Sequence, residues 1–152
     1  MTLMDTIKNR HSVREYADKK LETEIIASLE EEISRCNSDS GLHIQLAVDE
    51  PEAFGGLMAH YGNFRNVKNY LVIAGRQEPL LEEKAGYFGE RLVLKAQQLG
   101  LNSCWVAVTY RKGKCRCQLE KGEKIVCVIA LGYGKKQGVP HKSKPVSALC
   151  NP

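Results

Sequence analysis

Four short apolar runs most strongly constrain how this chain can fold, because each is bounded by glycine or polar residues in the manner of a strand. Residues 42–48 alternate apolar and polar side chains, which is typical of a half-buried strand. Residues 70–74 are apolar throughout, which favours a central strand. Two further runs cover residues 103–108 and 125–131. The sequence therefore predicts four strands.

Helical patterns separate these runs. Thr2 and Asp5 predict an N-cap and an acidic first turn for a helix that runs into Arg10. Three further helices, the last one closed by Gly100, are expected over residues 21–36, 54–60 and 80–99. Because helices and strands do not alternate regularly, the element order predicts an α+β fold and not a series of βαβ units.

Two glycines, Gly86 and Gly89, lie three residues apart inside the last predicted helix. Each costs about 1 kcal/mol of helix stability relative to alanine, so we expect another element to pack closely there. Two alternatives are open. The helix packs on its own sheet, or a partner subunit packs against it.

The length of 152 residues corresponds to one domain. No apolar run approaches the roughly 18–20 residues that span a bilayer, and the first ten residues lack the apolar core of a signal peptide. We therefore expect a cytoplasmic protein that does not enter a membrane, with its six cysteines reduced. Cys115 and Cys117 have no second Cys or His pair at zinc spacing, so no metal site is expected.

Positive charge is concentrated at the C-terminal end of the chain. Residues 109–152 contain ten Lys and Arg against two Asp and Glu, whereas residues 1–108 contain twelve against sixteen. Such a basic end favours an anionic partner, which is nucleic acid, a membrane surface or a phosphorylated small molecule. Tyr110 and Tyr133 are its only aromatic residues and no nucleic-acid-binding motif occurs, which argues against nucleic acid.

The segment Arg10-His11-Ser12-Val13-Arg14 places two guanidinium groups, an imidazole and a hydroxyl within five residues. Guanidinium groups bind phosphate through paired hydrogen bonds, and a serine hydroxyl can donate another. The segment therefore favours a phosphate site. The alternative is a solvated basic helix end that is stabilised by the helix dipole.

Two other segments complete an ordered set of motifs. Residues 99–107 lead from Gly100 into a strand that holds the only tryptophan, Trp105. Residues 132–145 follow the last predicted strand and contain Gly-Tyr and then Pro-His-Lys-Ser-Lys-Pro. The order R-x-S-x-R, G-L-x-x-x-W, G-Y and P-x-K-x-[KR]-P resembles the nitroreductase family, from Ile7 to about Leu149.

The resemblance implies an α+β, nitroreductase-like fold with a mostly antiparallel central sheet flanked by helices. It also implies a homodimer that binds FMN at the subunit interface. The positions that match the family's FMN contacts are Arg10, His11, Ser12, Arg14, Trp105, Val106, Ala107, Lys142 and Lys144. By this resemblance residues 105–107 line the flavin ring and the two lysines reach the phosphate.

Two stretches of the family are missing from this sequence. Family members usually carry a stretch resembling A-P-S-x-x-N-x-Q-P that contacts the flavin, whereas residues 34–45 hold Asn37 and Gln45 without a proline. The P-T-A-x-N stretch near the C-terminus of one branch does not occur before Pro152. We therefore expect residues 1–152 to form a single FMN-binding domain, either with a complete flavin pocket or lacking the family's C-terminal segment.

These implications predict an FMN-dependent oxidoreductase. NAD(P)H would donate electrons, and the flavin would pass a hydride to a nitroaromatic, a quinone or a similar small-molecule electron acceptor. No side chain is an evident acid or base, so no catalytic residue is assigned, and Arg14 is expected to stabilise negative charge on the reduced flavin. The alternatives are a non-catalytic flavin-binding protein and a basic nucleic-acid-binding module.

Overall fold

The computed structural model describes residues 2–140, 142 and 144–150, and within them four strands form one antiparallel sheet. The strands are β1 (Gln45–Ala47), β2 (Asn69–Arg76), β3 (Asn102–Val106) and β4 (Glu123–Gly132). Their order across the sheet is β1-β2-β4-β3, so β1 and β3 are the edges. The predicted α+β fold with a mostly antiparallel central sheet is confirmed.

Within the same residues there are four α-helices, α1 (Leu3–Asn9), α2 (Thr23–Ser40), α3 (Leu57–Tyr61) and α4 (Leu81–Gln98). Short 3-10 helices cover Pro51–Phe54, Lys112–Lys114 and Val146–Ala148. The predicted cap of α1 is confirmed, since the Asp5 amide donates to Thr2 Oγ1 and the Thr2 amide donates to the Asp5 carboxylate. None of these helices combines the length and the apolar character that crossing a bilayer requires.

Several element boundaries differ from the sequence prediction, and three of the differences coincide with a particular local contact or backbone conformation. α2 continues past residue 36 to Ser40, whose hydroxyl donates to the Cys36 carbonyl at 2.6 Å, and it is capped by Gly41 with a φ of +73°. β1 is shorter than residues 42–48 because both main-chain groups of Ile44 bond to the Asn37 side chain. The helix expected over residues 54–60 is divided between a 3-10 helix and α3 by Gly56, whose φ is +118°.

The sheet separates two apolar clusters, because alternate strand residues point to opposite faces. The helix-side cluster packs α2 and α4 against one face and includes Leu29, Ile33, Leu71, Ile73, Leu92 and Ile129. The loop-side cluster covers the other face and includes Val13, Phe54, Phe64, Tyr70, Val72 and Tyr110. Successive residues of β2 enter the two clusters in turn, so this strand is buried on both faces of the sheet. That is why its sequence is a continuous apolar run and not an alternating one.

The close approach expected at the glycines of α4 is made by a side chain of the same subunit. A Cβ on Gly89 would overlap Cη2 of Trp105, so the indole occupies the space that any larger residue needs. A Cβ on Gly86 has no neighbour within 4 Å among the described residues. Gly89 therefore seats the Trp105 ring on α4, and the packing of the helix on its own sheet explains this glycine.

We expect Gly89→Ala to lower the free energy of unfolding by about 1–2 kcal/mol, because displacing the Trp105 ring outweighs the gain in helix propensity. Gly86→Ala is the matched control and should raise stability by up to about 1 kcal/mol, since its methyl group meets no neighbour. Urea unfolding followed by Trp105 emission measures both changes. Equal stabilisation by the two substitutions would contradict the role of Gly89.

Candidate functional site

Residues 10–14 leave α1 and run beside β3 as extended chain. Arg10 has φ −73° and ψ 122°, so Arg10 and Arg14 do not share a helix face. Ser12 lies opposite Ser103 in a parallel bridge, and the Val13 amide donates to the Ser103 carbonyl at 3.0 Å. Because β3 is an edge strand, its outer edge is open to such pairing. The motif is thus attached to the strand that carries Trp105.

The loop before β2 pairs with the next residues of the segment. The Arg65 amide donates to the Arg14 carbonyl at 2.9 Å, and the Tyr16 amide donates to the Arg65 carbonyl at 3.1 Å. The buried Tyr16 hydroxyl donates to the Val13 carbonyl at 2.6 Å. Burial raises the pKa of Tyr16, so its hydroxyl remains a neutral donor. These bonds bring Arg14 and Arg65 side by side along the main chain.

The chain that follows β4 pairs with the opposite side of the segment. The Lys135 amide donates to the Glu15 carbonyl at 3.0 Å, and the Ala17 amide donates to the Tyr133 carbonyl at 2.7 Å. Lys135 Nζ also lies 2.9 Å from Glu15 Oε1. That hydrogen bond is the largest cause of the lowered pKa of Glu15, so the carboxylate is ionised at neutral pH. Lys135 offsets its negative charge.

A pocket of about 350 Å³ opens where these segments meet. Its lining comes from residues 12–15, from Asn63 and Arg65, and from Lys136 and Gly138. The volume lies in the range of sites that hold small molecules. Three distant parts of the chain therefore contribute to one pocket.

The pocket carries an excess of positive charge. Arg14, Arg65 and Lys136 line it, and within the described residues no carboxylate oxygen lies within 4.0 Å of their charged nitrogens. The Arg14 guanidinium carbon lies 6.0 Å from the centre of the Phe64 ring. The arginine forks and the Ser12 hydroxyl are thus available to an anion with several oxygen atoms, such as a phosphate group.

Two of the predicted site residues meet on α4 instead of lining this pocket. Arg10 Nε lies 3.6 Å from Glu90 Oε1, and the Trp105 indole N–H donates to Glu90 Oε2 at 3.0 Å. Arg10 Nη1 is buried without a hydrogen-bond partner among the described residues. The indole packs against the helix-side cluster, whereas Val13 of the pocket belongs to the loop-side cluster. Arg10 and Trp105 therefore share a carboxylate that is not part of the pocket lining.

The other predicted residues near the motif take different positions. His11 packs against Gly138, since a Cβ on that glycine would lie 2.7 Å from the His11 Cβ. Val106 is buried in the loop-side cluster, and Ala107 is exposed. Of the nine predicted flavin contacts, the pocket lining contains Ser12 and Arg14.

The predicted basic pair at the C-terminal end lies beyond the pocket lining. Lys142 and Lys144 are exposed, and His141 and Ser143 of the same stretch lie outside the described residues. Lys136, from the same basic segment, is the lysine that lines the pocket.

Apart from Val13 of the motif, the lining contains five residues that sequence reasoning did not assign to the site, namely Glu15, Asn63, Arg65, Lys136 and Gly138. Lys136 lies three residues after Tyr133 of the Gly-Tyr motif, so its position in a basic segment was a usable signal. Asn63 and Arg65 lie in a loop without periodicity, and only the pairing of Arg65 with residues 14–16 brings them to the site.

Asn37 and Gln45, which match positions of the family's missing stretch, use their side-chain amides to bond main-chain groups of this chain. Asn37 bonds the main chain of Ile44, and the Gln45 side chain exchanges two hydrogen bonds with the main chain of Gln118 at 2.8 and 2.9 Å. Neither residue lines the cationic pocket.

The fold and the pocket define an α+β protein with a cavity lined by cations. The family described as "Putative TM nitroreductase" matches residues 2–152. The chain therefore belongs to this nitroreductase family. No curated protein matches it.

Solved structures of nitroreductase family proteins share the fold. A family protein from Clostridium difficile 630 is 18% identical, with 99% of this chain and 98% of that chain covered and a TM-score of 0.74. A "putative nitroreductase in complex with fmn" from Desulfovibrio desulfuricans is 18% identical, with 99% and 95% covered and a TM-score of 0.74. A "Putative NADH dehydrogenase/NAD(P)H nitroreductase" from Bacteroides thetaiotaomicron is 19% identical, with 98% and 96% covered and a TM-score of 0.74.

We expect Glu15→Gln to strengthen the binding of inorganic phosphate severalfold. The substitution removes the carboxylate from the pocket lining and releases Lys135 to add to the positive field. Glu24→Gln, at an exposed position of α2, is the matched control and should leave the affinity unchanged. Phosphate titrations at low and high salt measure the effect, which should shrink as salt rises. Weaker binding by the Glu15 variant would contradict this account of the pocket.

Proposed function

We propose that this protein is an FMN-dependent oxidoreductase that passes a hydride from NAD(P)H to a nitroaromatic, a quinone or a similar small-molecule acceptor. Membership of the nitroreductase family supports an oxidoreductase. The observation that carries the proposal is the pocket in which Arg14, Arg65 and Lys136 lie beside Ser12, with no carboxylate partner among the residues that the structure describes. The FMN in the Desulfovibrio desulfuricans structure supports the choice of cofactor.

The residues of the pocket fit the phosphate group of FMN. Two guanidinium forks can each bind two phosphate oxygens, Lys136 adds a point charge, and the Ser12 hydroxyl adds a further donor. The single carboxylate of the lining, Glu15, is already paired with Lys135. A phosphate dianion would therefore meet donors and net positive charge on the lining side chains.

The remaining predicted contacts extend the proposed site beyond the phosphate. We assign Arg10, His11 and residues 105–107 to the flavin because of the family resemblance, and Arg10 Nη1 is a donor without a hydrogen-bond partner in the part of the chain that the structure describes. Bound FMN supplies the redox chemistry, while this chain binds and orients it. Two roles are open to Arg14, binding of the phosphate in this arrangement or, with the flavin ring beside it instead, stabilisation of negative charge on the reduced flavin.

A homodimer is part of the proposal, with the flavin between the subunits. The apolar face of α1 supports it, since Leu3, Met4 and Ile7 are 56%, 60% and 48% exposed. Such a contiguous apolar face on a surface helix is typical of a covered interface. We expect the partner subunit to cover it in a cytoplasmic dimer.

We expect the purified protein to be yellow, to release FMN and not FAD on denaturation, and to elute with the mass of a dimer. NADH or NADPH should bleach the flavin band without oxygen, and a quinone or nitroaromatic should restore it. Absorbance spectra, chromatography of the released flavin and light scattering measure these properties. A protein that binds FMN but is not reduced by either nucleotide would support the non-catalytic alternative, and one that binds no FMN would refute the proposal.

Arg14→Ala should weaken FMN binding by about 2–3 kcal/mol, because it removes a charge-assisted fork from the pocket. Lys144→Ala is the matched control for the loss of one positive charge at an exposed residue, and its cost should be smaller because Lys144 is not part of the lining and lysine acts as a point charge. Fluorescence titration of the apoprotein with FMN measures both. A Lys144 effect equal to or larger than that of Arg14 would show that the pocket lining is wrongly assigned.

A further inference from the structure

Asn102 uses its buried side chain to bond the chain that follows β4. It is the first residue of β3 and is 3% exposed. Its Oδ1 accepts a hydrogen bond from the Gly134 amide at 3.0 Å, and its Nδ2 donates to Gln137 Oε1 at 2.9 Å. Both ends of this amide are therefore occupied by one short segment, residues 134–138.

Close packing holds the same segment at both of its ends. A Cβ on Gly134 would lie 2.7 Å from Asn102 Oδ1 and 2.8 Å from Val13 Cγ1. Gly138 has a φ of +82°, and a Cβ there would lie 3.1 Å from the Ser12 carbonyl oxygen. Glycine is needed at both positions, because the segment lies directly against the residues of the phosphate-binding motif.

Lys136 lies between the two residues that Asn102 bonds, and it lines the cationic pocket. A lysine has a long stem whose ordering costs entropy, so its contribution to binding depends on how well its main chain is already placed. We propose that Asn102 is a positioning residue that holds Lys136 at the pocket for the phosphate group of the ligand. This inference rests on the proposed function, in which that pocket binds phosphate.

Loss of the Asn102 side-chain amide would release residues 134–138 from their position beside β3. The Gly134 amide would lose its acceptor in a part-buried position, which favours a rearrangement that exposes it to water. Lys136 would then sample positions outside the pocket, and each binding event would have to order it again. Asn102 makes no hydrogen bond to a charged group of the lining, so its effect on phosphate passes through residues 134–138, the segment that carries Lys136.

The experiment is a double-mutant cycle with inorganic phosphate and FMN as separate probes. Asn102→Ala is measured in the wild-type background and in a Lys136→Met background. Asn69→Ala is the matched control, since Asn69 is also buried on a strand and its Oδ1 accepts from the Asp49 amide at 3.0 Å, away from the pocket lining. Gln137→Ala, at an exposed residue, removes one of the two bonds without touching β3 and serves if Asn102→Ala does not fold.

Asn102→Ala should weaken phosphate and FMN binding by about tenfold in the wild-type background and by less than about twofold once Lys136 is gone. Gln137→Ala should act in the same direction, and Asn69→Ala should leave both affinities unchanged. Faster amide hydrogen exchange in residues 133–138 should accompany the Asn102 effect and not the Asn69 substitution.

The positioning role would be overturned if Asn102→Ala weakened binding equally in the wild-type and Lys136→Met backgrounds. It would also be overturned if Asn102→Ala left the affinity of the wild-type background unchanged. If the variants changed phosphate binding as expected but the protein did not bind FMN, the flavin proposal would be refuted and the role of Asn102 would be supported. A folded wild-type protein that binds neither probe would overturn both.

Discussion

Main-chain hydrogen bonds to residues 12–17 hold the site together. The Val13 amide bonds β3, residues 14 and 16 bond Arg65, and residues 15 and 17 bond the chain that follows β4. Buried amide and carbonyl groups need partners once water is excluded, so this segment cannot change its path without leaving several of them unpaired. The pocket cations are therefore carried by backbone whose course is already determined.

This arrangement explains how a chain with separated charges can build one cationic site. Arg14, Arg65 and Lys136 come from an extended segment, a loop and the basic C-terminal end. Bringing like charges together is unfavourable unless an anion or a network of fixed contacts offsets the repulsion. Here the fixed contacts are main-chain pairs and the Asn102 amide, and the anion is the ligand's phosphate in the proposed function.

α4 organises a second group of contacts on the other side of β3. Gly89 leaves room for the Trp105 ring, and the neighbouring Glu90 accepts its indole N–H and lies beside Arg10. One helix turn therefore orients two residues that the family resemblance assigns to the flavin. The same contacts explain why a glycine is retained inside a helix that its low propensity would otherwise weaken.

The sequence by itself determined the α+β element order, the capped start of α1 and the chemical character of the Arg10–Arg14 motif, because periodicity, capping and side-chain chemistry are local properties. Helix and strand ends were less predictable, since Asn37 and Ser40 use their side chains to satisfy backbone groups. Only the tertiary structure decided that Arg65 and Lys136 join Arg14 while Arg10 and Trp105 turn to Glu90. Those contacts depend on which strand edges and loops pair with residues 12–17. Sequence periodicity reports local structure only, so it does not reveal pairing between residues that are distant in the chain.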